Sequence, residues 1–242
     1  MESLKIRRDL ELKSGLIWLK RAFIIFRERP IHFVILQLIY LICMFIPFLG
    51  AFVSPLIQAR IMHFVAKTEI NEPFKVGEIF KGLFSKAMVI RLAFLNFCLS
   101  AILMLIQIFI ESKFGMSDSK AGLTSSGLTL ILLVPTLLLT IAMWLSPAIC
   151  QIHDNIEPKI AMLLSLKASA QNILALLFYS IILAGMWIII VVPICALVFW
   201  LWTKAYFIVL IPCAIVGFII IIFWYSIVSI ATYFVYKRVF TA

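Results

Sequence analysis

The sequence predicts an all-α, polytopic membrane protein: six transmembrane helices paired as three hairpins, each preceded by an amphipathic surface helix. Three observations carry this expectation. Five stretches, 31–59, 92–110, 121–152, 168–203 and 205–236, contain no Asp, Glu, Lys or Arg. Each is close to or beyond the roughly 20 apolar residues that a helix needs to cross a bilayer. The 242-residue chain is 64% hydrophobic and 13% charged, with a mean hydropathy of +1.16, against about 25% charged residues in soluble domains. Finally, the few charges collect in short blocks between the apolar runs, and their signs are uneven.

The elements follow in order. Residues 10–29 form the first amphipathic helix. Leu12, Leu16, Leu19, Phe23 and Phe26 recur at helical spacing, Trp18 widens that apolar face, and Lys13, Lys20, Arg21 and Arg27 lie opposite, although Ile17 and Ile24 intrude on the polar arc. Such a helix is expected to lie in the headgroup plane with its cations on anionic lipid. Pro30 ends it. The run 31–59 is long for one helix and tight for two. It contains the turn signal Pro47-Phe48-Leu49-Gly50. Charge decides: residues 1–30 carry eight basic residues and 60–91 carry six, and the positive-inside rule disfavours placing two basic blocks on opposite sides. Residues 31–66 are therefore read as a hairpin, 31–47 and 50–66, with both ends cytoplasmic; a re-entrant hairpin would satisfy the same charges.

The second unit, 74–152, opens with a short apolar face of Val76, Ile79, Phe80 and Leu83 and continues as spans over 87–110 and 127–152. The third, 158–236, opens with a small polar stripe of Ser165, Ser169 and Asn172, suited to close helix contact, and continues as spans over 173–199 and 206–235. With this threading 18 of the 21 Lys and Arg face the cytoplasm, leaving Lys113, Lys120 and Lys204 outside. Ile70-Asn71-Glu72-Pro73 and Asn155-Ile156-Glu157-Pro158 look alike as helix starts. Ser54-Pro55 with Gln58 and His63 matches Ser146-Pro147 with Gln151 and His153. These matches suggest repetition of one unit: surface helix, span out, span back. The whole of 1–242 is expected to be a single integral membrane domain, and the charged N-terminal segment is no cleavable signal peptide.

Several function classes are disfavoured. The net charge of +10 flanks apolar runs, so it points to lipid headgroups and not to nucleic acid. Cys43, Cys98, Cys150, Cys195 and Cys213 form no C-x-x-C and lie in or beside apolar runs, as small packing residues do. His63 and His153 lack a suitably spaced third ligand. No acid lies deep in a span, which argues against proton coupling, and no hydrolase or phosphate-loop motif is present. An enzyme, a cofactor and a bound metal are not expected.

The candidate site is a polar cavity formed by Ser54, Pro55, Gln58, Ser146, Pro147 and Gln151. Proline inside a span leaves a carbonyl without its helical donor, and a carbonyl in hydrocarbon needs a partner. Two such sites facing each other would share water or an amphiphile's headgroup, in a cavity expected to open toward the cytoplasmic leaflet. Membrane-surface contacts are expected from Lys13, Trp18, Lys20, Arg21 and Arg27.

The opening Gly15-Leu16-Ile17-Trp18-Leu19 through Phe23, Phe26 and Pro30, the turn Pro47-Phe48-Leu49-Gly50, Ser54-Pro55, Glu78-Ile79-Phe80-Lys81-Gly82, and Ser165 with Asn172 together resemble a family of six-helix bacterial inner-membrane proteins. That family has no assigned activity. It is distantly similar to YciC-type proteins and to the membrane domain fused to some glycerophosphodiester phosphodiesterases. The resemblance implies a Gram-negative inner membrane and supplies no reaction. The expected function is thus non-enzymatic: holding or moving a lipid or other amphiphile in the cell envelope. The alternatives are an accessory or scaffold subunit that binds a membrane-protein partner and, less favoured, an integral membrane enzyme.

Overall fold

A computed structural model describes residues 6–8, 10–11, 13–46, 48–73, 77–78, 82–114, 122–153, 155–203 and 207–240. They form helices and turns only: α1 (Ser14–Glu28), α2 (Pro30–Met44), α3 (Leu49–Glu69), α4 (Ala87–Phe114), α5 (Gly122–Ile152), α6 (Pro158–Gln171), α7 (Ile173–Thr203) and α8 (Phe207–Phe240). Leu12, Pro47, Val76, Ile79 and Phe80 lie outside the described residues, and so does most of the expected second surface helix.

Five helices, within Leu49–Glu69, Ala87–Ile110, Leu133–Ile152, Ile173–Trp200 and Ile211–Phe240, are long and apolar enough to cross a membrane. The protein is membrane-embedded and helical. Six full spans are not found among the described residues. The first arm of the expected first hairpin, α2, has 15 residues, roughly 22 Å at 1.5 Å per residue, against about 30 Å of hydrocarbon.

The chain gathers into two compact units where one domain is expected: Met1–Leu38 with Val65–Pro73 and Ala170–Ala242, and Ile39–Phe64 with Phe74–Ser169. The division cuts through α2, α3 and α6.

In the first unit, α1 packs on α7 and α8, which pack on each other. Gly15 lets α1 approach closely: a Cβ there would meet Tyr179 Cβ at 3.2 Å and its Cα at 3.3 Å. Trp18 stacks edge-on to Tyr179 (5.5 Å between centroids), and Phe26 does so to Phe223 (4.6 Å). The buried face is Gly15, Trp18, Leu19, Ala22, Ile25 and Phe26. This rotates α1 away from the expected orientation. Leu16 and Phe23 are half-exposed, as are Ile17 and Ile24. Burying Leu19, Ile25 and Phe26 at roughly 2 kcal/mol each outweighs about 1 kcal/mol per cation on lipid, so packing sets the rotation. Trp18, expected at the membrane surface, is only 3% exposed and is a packing residue. Lys13, Lys20, Arg21 and Arg27 are exposed.

In the same unit, α3 ends in a Schellman motif. The Glu72 N–H donates to Lys67 O (2.9 Å) and the Asn71 N–H to Thr68 O (3.0 Å), with Asn71 at φ 56° and Pro73 following. Ile70–Pro73 closes α3, and the helix it was expected to open falls mostly outside the described residues. Glu69 accepts from Lys237 Nζ on both oxygens (2.8 and 2.7 Å) and from the Tyr233 hydroxyl (3.1 Å), tying the end of α3 to α8.

In the second unit, the α2–α3 turn is tight. Phe48 adopts φ 64°, and a Cβ on Gly50 would lie 2.5 Å from Met44 Sδ and 3.1 Å from Met44 Cα. From this turn α3 descends antiparallel to α4. Phe48 lies against Phe97 (6.0 Å between centroids), Ala51 beside Asn96, and Arg60 beside Gly82. Helices α4 and α5 pack on each other. Helix α6 starts at Pro158, as expected, and buries the small residues Ala161, Ser165 and Ala168.

Candidate functional site

Prolines lie inside two helices of the second unit, Pro55 in α3 and Pro135 and Pro147 in α5. Pro55 cannot donate to Ala51 O, its partner one turn back. The side chain of Asn96 on α4 takes that place: its Nδ2 donates to Ala51 O at 2.6 Å. Asn96 is 9% exposed. On α5, Ser146 is fully buried, and its hydroxyl donates to Ala142 O within its own helix. Beside it, Ser165 of α6 inserts into the backbone ladder of α5. Ser165 Oγ accepts the Leu145 N–H (3.2 Å) and donates to Ile141 O (2.8 Å). The stripe that suggested an external partner is thus used within the chain at Ser165. In the first unit Asn172 likewise donates to Arg7 O at 3.0 Å.

Between α2, α3, α4 and α5 of the second unit lies a cavity of about 480 Å³. Ser54 and Gln58 of α3 and Pro147 of α5 line it, as the sequence suggests. Pro55, Ser146 and Gln151 are not among its lining residues. Pro55 and Ser146 point into packed helix contacts, where both are buried. The larger part of the wall was not foreseen. It consists of Asn96, Ser100, Leu103, Met104 and Gln107 on α4, Thr136, Leu139, Thr140, Met143 and Trp144 on α5, and Tyr40 on α2. The signal for these residues was present. Positions 96, 100, 103 and 107, and positions 136, 140, 143 and 147, share one spacing (i, i+4, i+7, i+11), which is one helical face. Each face sets amides or hydroxyls into an otherwise apolar span. Their significance shows only when the two faces are opposed.

The lining carries amides, hydroxyls, aromatic rings and hydrocarbon, with no formally charged side chain among its described residues. Gln58 Oε1 is buried and has no hydrogen-bond partner among the described residues. From Asn96 to Gln107 the stripe runs eleven residues, roughly 16 Å along the helix, about half the hydrocarbon thickness. Exposure rises along it. Asn96 and Pro147 are buried, whereas Met104, Gln107, Thr136 and Thr140 are exposed. The cavity is closed where α3 crosses Asn96 and open near Gln107 and Thr136.

No protein-family model matches the chain, and comparison with curated proteins and with solved structures finds no match in either.

Proposed function

We propose that this chain is a non-enzymatic protein of the bacterial inner membrane that binds, and passes along the bilayer normal, a neutral amphiphile with a hydrogen-bonding headgroup. The single observation that carries the reading is the uncharged, amide- and hydroxyl-lined cavity of about 480 Å³ inside a bundle of apolar helices. Its volume falls in the usual range of about 300–1,000 Å³ for small-molecule sites. A charged headgroup would lose its hydration there and meet no counter-charge, at a cost of several kcal/mol. A hydroxyl or amide headgroup loses less and can donate to Gln58 Oε1. The apolar residues Leu103, Met104, Leu139 and Met143 suit the acyl or alkyl portion.

The reading includes a topology. Helices α4, α5, α7 and α8 cross the bilayer, and the α2–α3 hairpin enters from the cytoplasm and turns back. Its turn meets α4 at Phe97, ten residues after the start of α4, which is roughly 15 Å and close to the bilayer midplane. The second half of α3 carries Arg60, Lys67 and Glu69 and reaches the cytoplasmic side. Both termini are then cytoplasmic, in keeping with the 18-to-3 distribution of basic residues. Membership of the six-helix inner-membrane family that the sequence resembles is part of the same proposal.

Native mass spectrometry of gently extracted protein tests the binding role. Wild type is expected to retain a neutral amphiphile. Ser100→Phe, which fills the cavity and leaves the Asn96–Ala51 bond intact, is expected to lose it while unfolding at the same temperature. An unchanged complement of bound lipid in a folded Ser100→Phe variant would refute the reading.

A further inference from the structure

A second concavity, in the first unit, has the opposite chemistry. It is about 320 Å³ and lies between α1 and the C-terminal end of α8, lined by Glu11, Ser14, Ile17, Trp18, Arg21, Phe234, Lys237 and Arg238. Three cations and one carboxylate rim an apolar floor. Arg21 sits over the Phe234 ring at 5.9 Å, and its guanidinium is held by packing against that ring. Arg21 and Arg238 are exposed and form no ion pair among the described residues, while Lys237 is shared with Glu69. Two guanidinium groups brought together from distant parts of the sequence suit the bidentate recognition of a phosphate.

We infer that this concavity is a specific site for the phosphate of an anionic phospholipid, independent of the neutral cavity. What selects a lipid over a soluble phosphate is the surface that continues from it. Leu16, Ile17 and Ile24 of α1 are 50–54% exposed and form an apolar ridge beside Phe23, whose ring packs edge-on to Phe223 of α8. In the sequence Ile17 and Ile24 interrupt the polar arc of the helix; in the structure they offer an acyl chain a path leading from the phosphate site. Glu11, on the rim, accepts a hydroxyl donated by a glycerol headgroup. The site differs from the diffuse attraction of a basic helix to a charged surface. Lys13, Lys20 and Arg27 of the same segment are exposed but do not line it.

The test is native mass spectrometry of the full chain in detergent, titrated with phosphatidylglycerol, phosphatidylcholine or inorganic phosphate. Wild type is expected to hold one phosphatidylglycerol in preference to phosphatidylcholine, undisturbed by millimolar phosphate. Arg21→Gln with Arg238→Gln should weaken that binding roughly thirtyfold, the effect of losing two cations of ordinary strength against anionic lipid. Arg21→Lys, which keeps the charge and loses the fork, should fall between. Lys13→Gln with Lys20→Gln should leave the binding unchanged. Equal loss in this last variant would overturn the site in favour of diffuse attraction. So would equal retention of the two lipids, or undiminished binding in the double arginine variant. Displacement by inorganic phosphate would overturn the lipid as occupant.

Discussion

Replacing Asn96 with Leu tests whether a side chain on one helix stands in for a backbone donor that proline removed from another. The Ala51 carbonyl would lose its donor (2.6 Å), and Pro55 prevents the helix from supplying a new one. Leaving a buried acceptor unsatisfied costs about 1–3 kcal/mol in water-soluble proteins. Inter-helix bonds in membrane proteins average about 0.6 kcal/mol and reach about 1.7. A short bond to a carbonyl with no alternative donor belongs near the top of that second range, so about 1.5 kcal/mol is expected. Pro55→Ala restores an N–H one turn beyond Ala51. In that background Asn96→Leu should cost about 0.5 kcal/mol, giving a coupling of about 1 kcal/mol. Unfolding in mixed detergent micelles with increasing dodecyl sulfate, followed by far-ultraviolet circular dichroism, measures all four corners of the cycle. If the two substitutions add to within about 0.3 kcal/mol, Asn96 does not substitute for the missing donor, and the argument fails.

Three further outcomes are expected. A membrane-impermeant thiol reagent applied from outside should modify a cysteine at position 119 and neither position 3 nor position 241; labelling at position 3 would invert the topology. Gly15→Val should destabilise the first unit by about 1–3 kcal/mol, because the new side chain meets the backbone of α7 at Tyr179; the same detergent unfolding assay reads it, and an unchanged midpoint would contradict the close approach. Trp18→Ala should cost about 3–5 kcal/mol, as for a large buried aromatic, while Lys13→Gln with Lys20→Gln shifts the midpoint by less than about 0.5 kcal/mol; the reverse order would return α1 to a headgroup-bound role.

Much of the fold was legible from the chain because hydrocarbon leaves few choices. Runs free of charge must be helical where they meet lipid, since every backbone group there has to be satisfied within the segment, and α4, α5, α7 and α8 each hold most or all of one charge-free run. The first hairpin was legible as a hairpin from its turn signal, but the helix its turn packs against was not: only the structure sets Phe48 against Phe97 of α4. Ser54, Gln58 and Pro147 were found from the proline argument. Asn96, Ser100, Thr136 and Thr140 were passed over because a single polar residue in a span is ambiguous until its neighbour is known.

The amino-acid sequence by itself determined the class of protein and the uneven distribution of positive charge, both of which depend on local composition; it did not determine the number of helices long enough to cross, which is five among the described residues and not six. The tertiary structure decided which face each helix buries. It turned Trp18 inward and Ile17 outward, and spent Ser146, Ser165 and Asn172 on backbone groups within the chain. It also set the polar stripes of α4 and α5 opposite each other and brought Arg21 to Arg238. The physical reason is that helical periodicity gives a residue its angular position relative to its own helix only. Whether that angle points to lipid, to a cavity or to a carbonyl is fixed by the helix lying beside it, and that neighbour is chosen by packing between residues far apart in the chain.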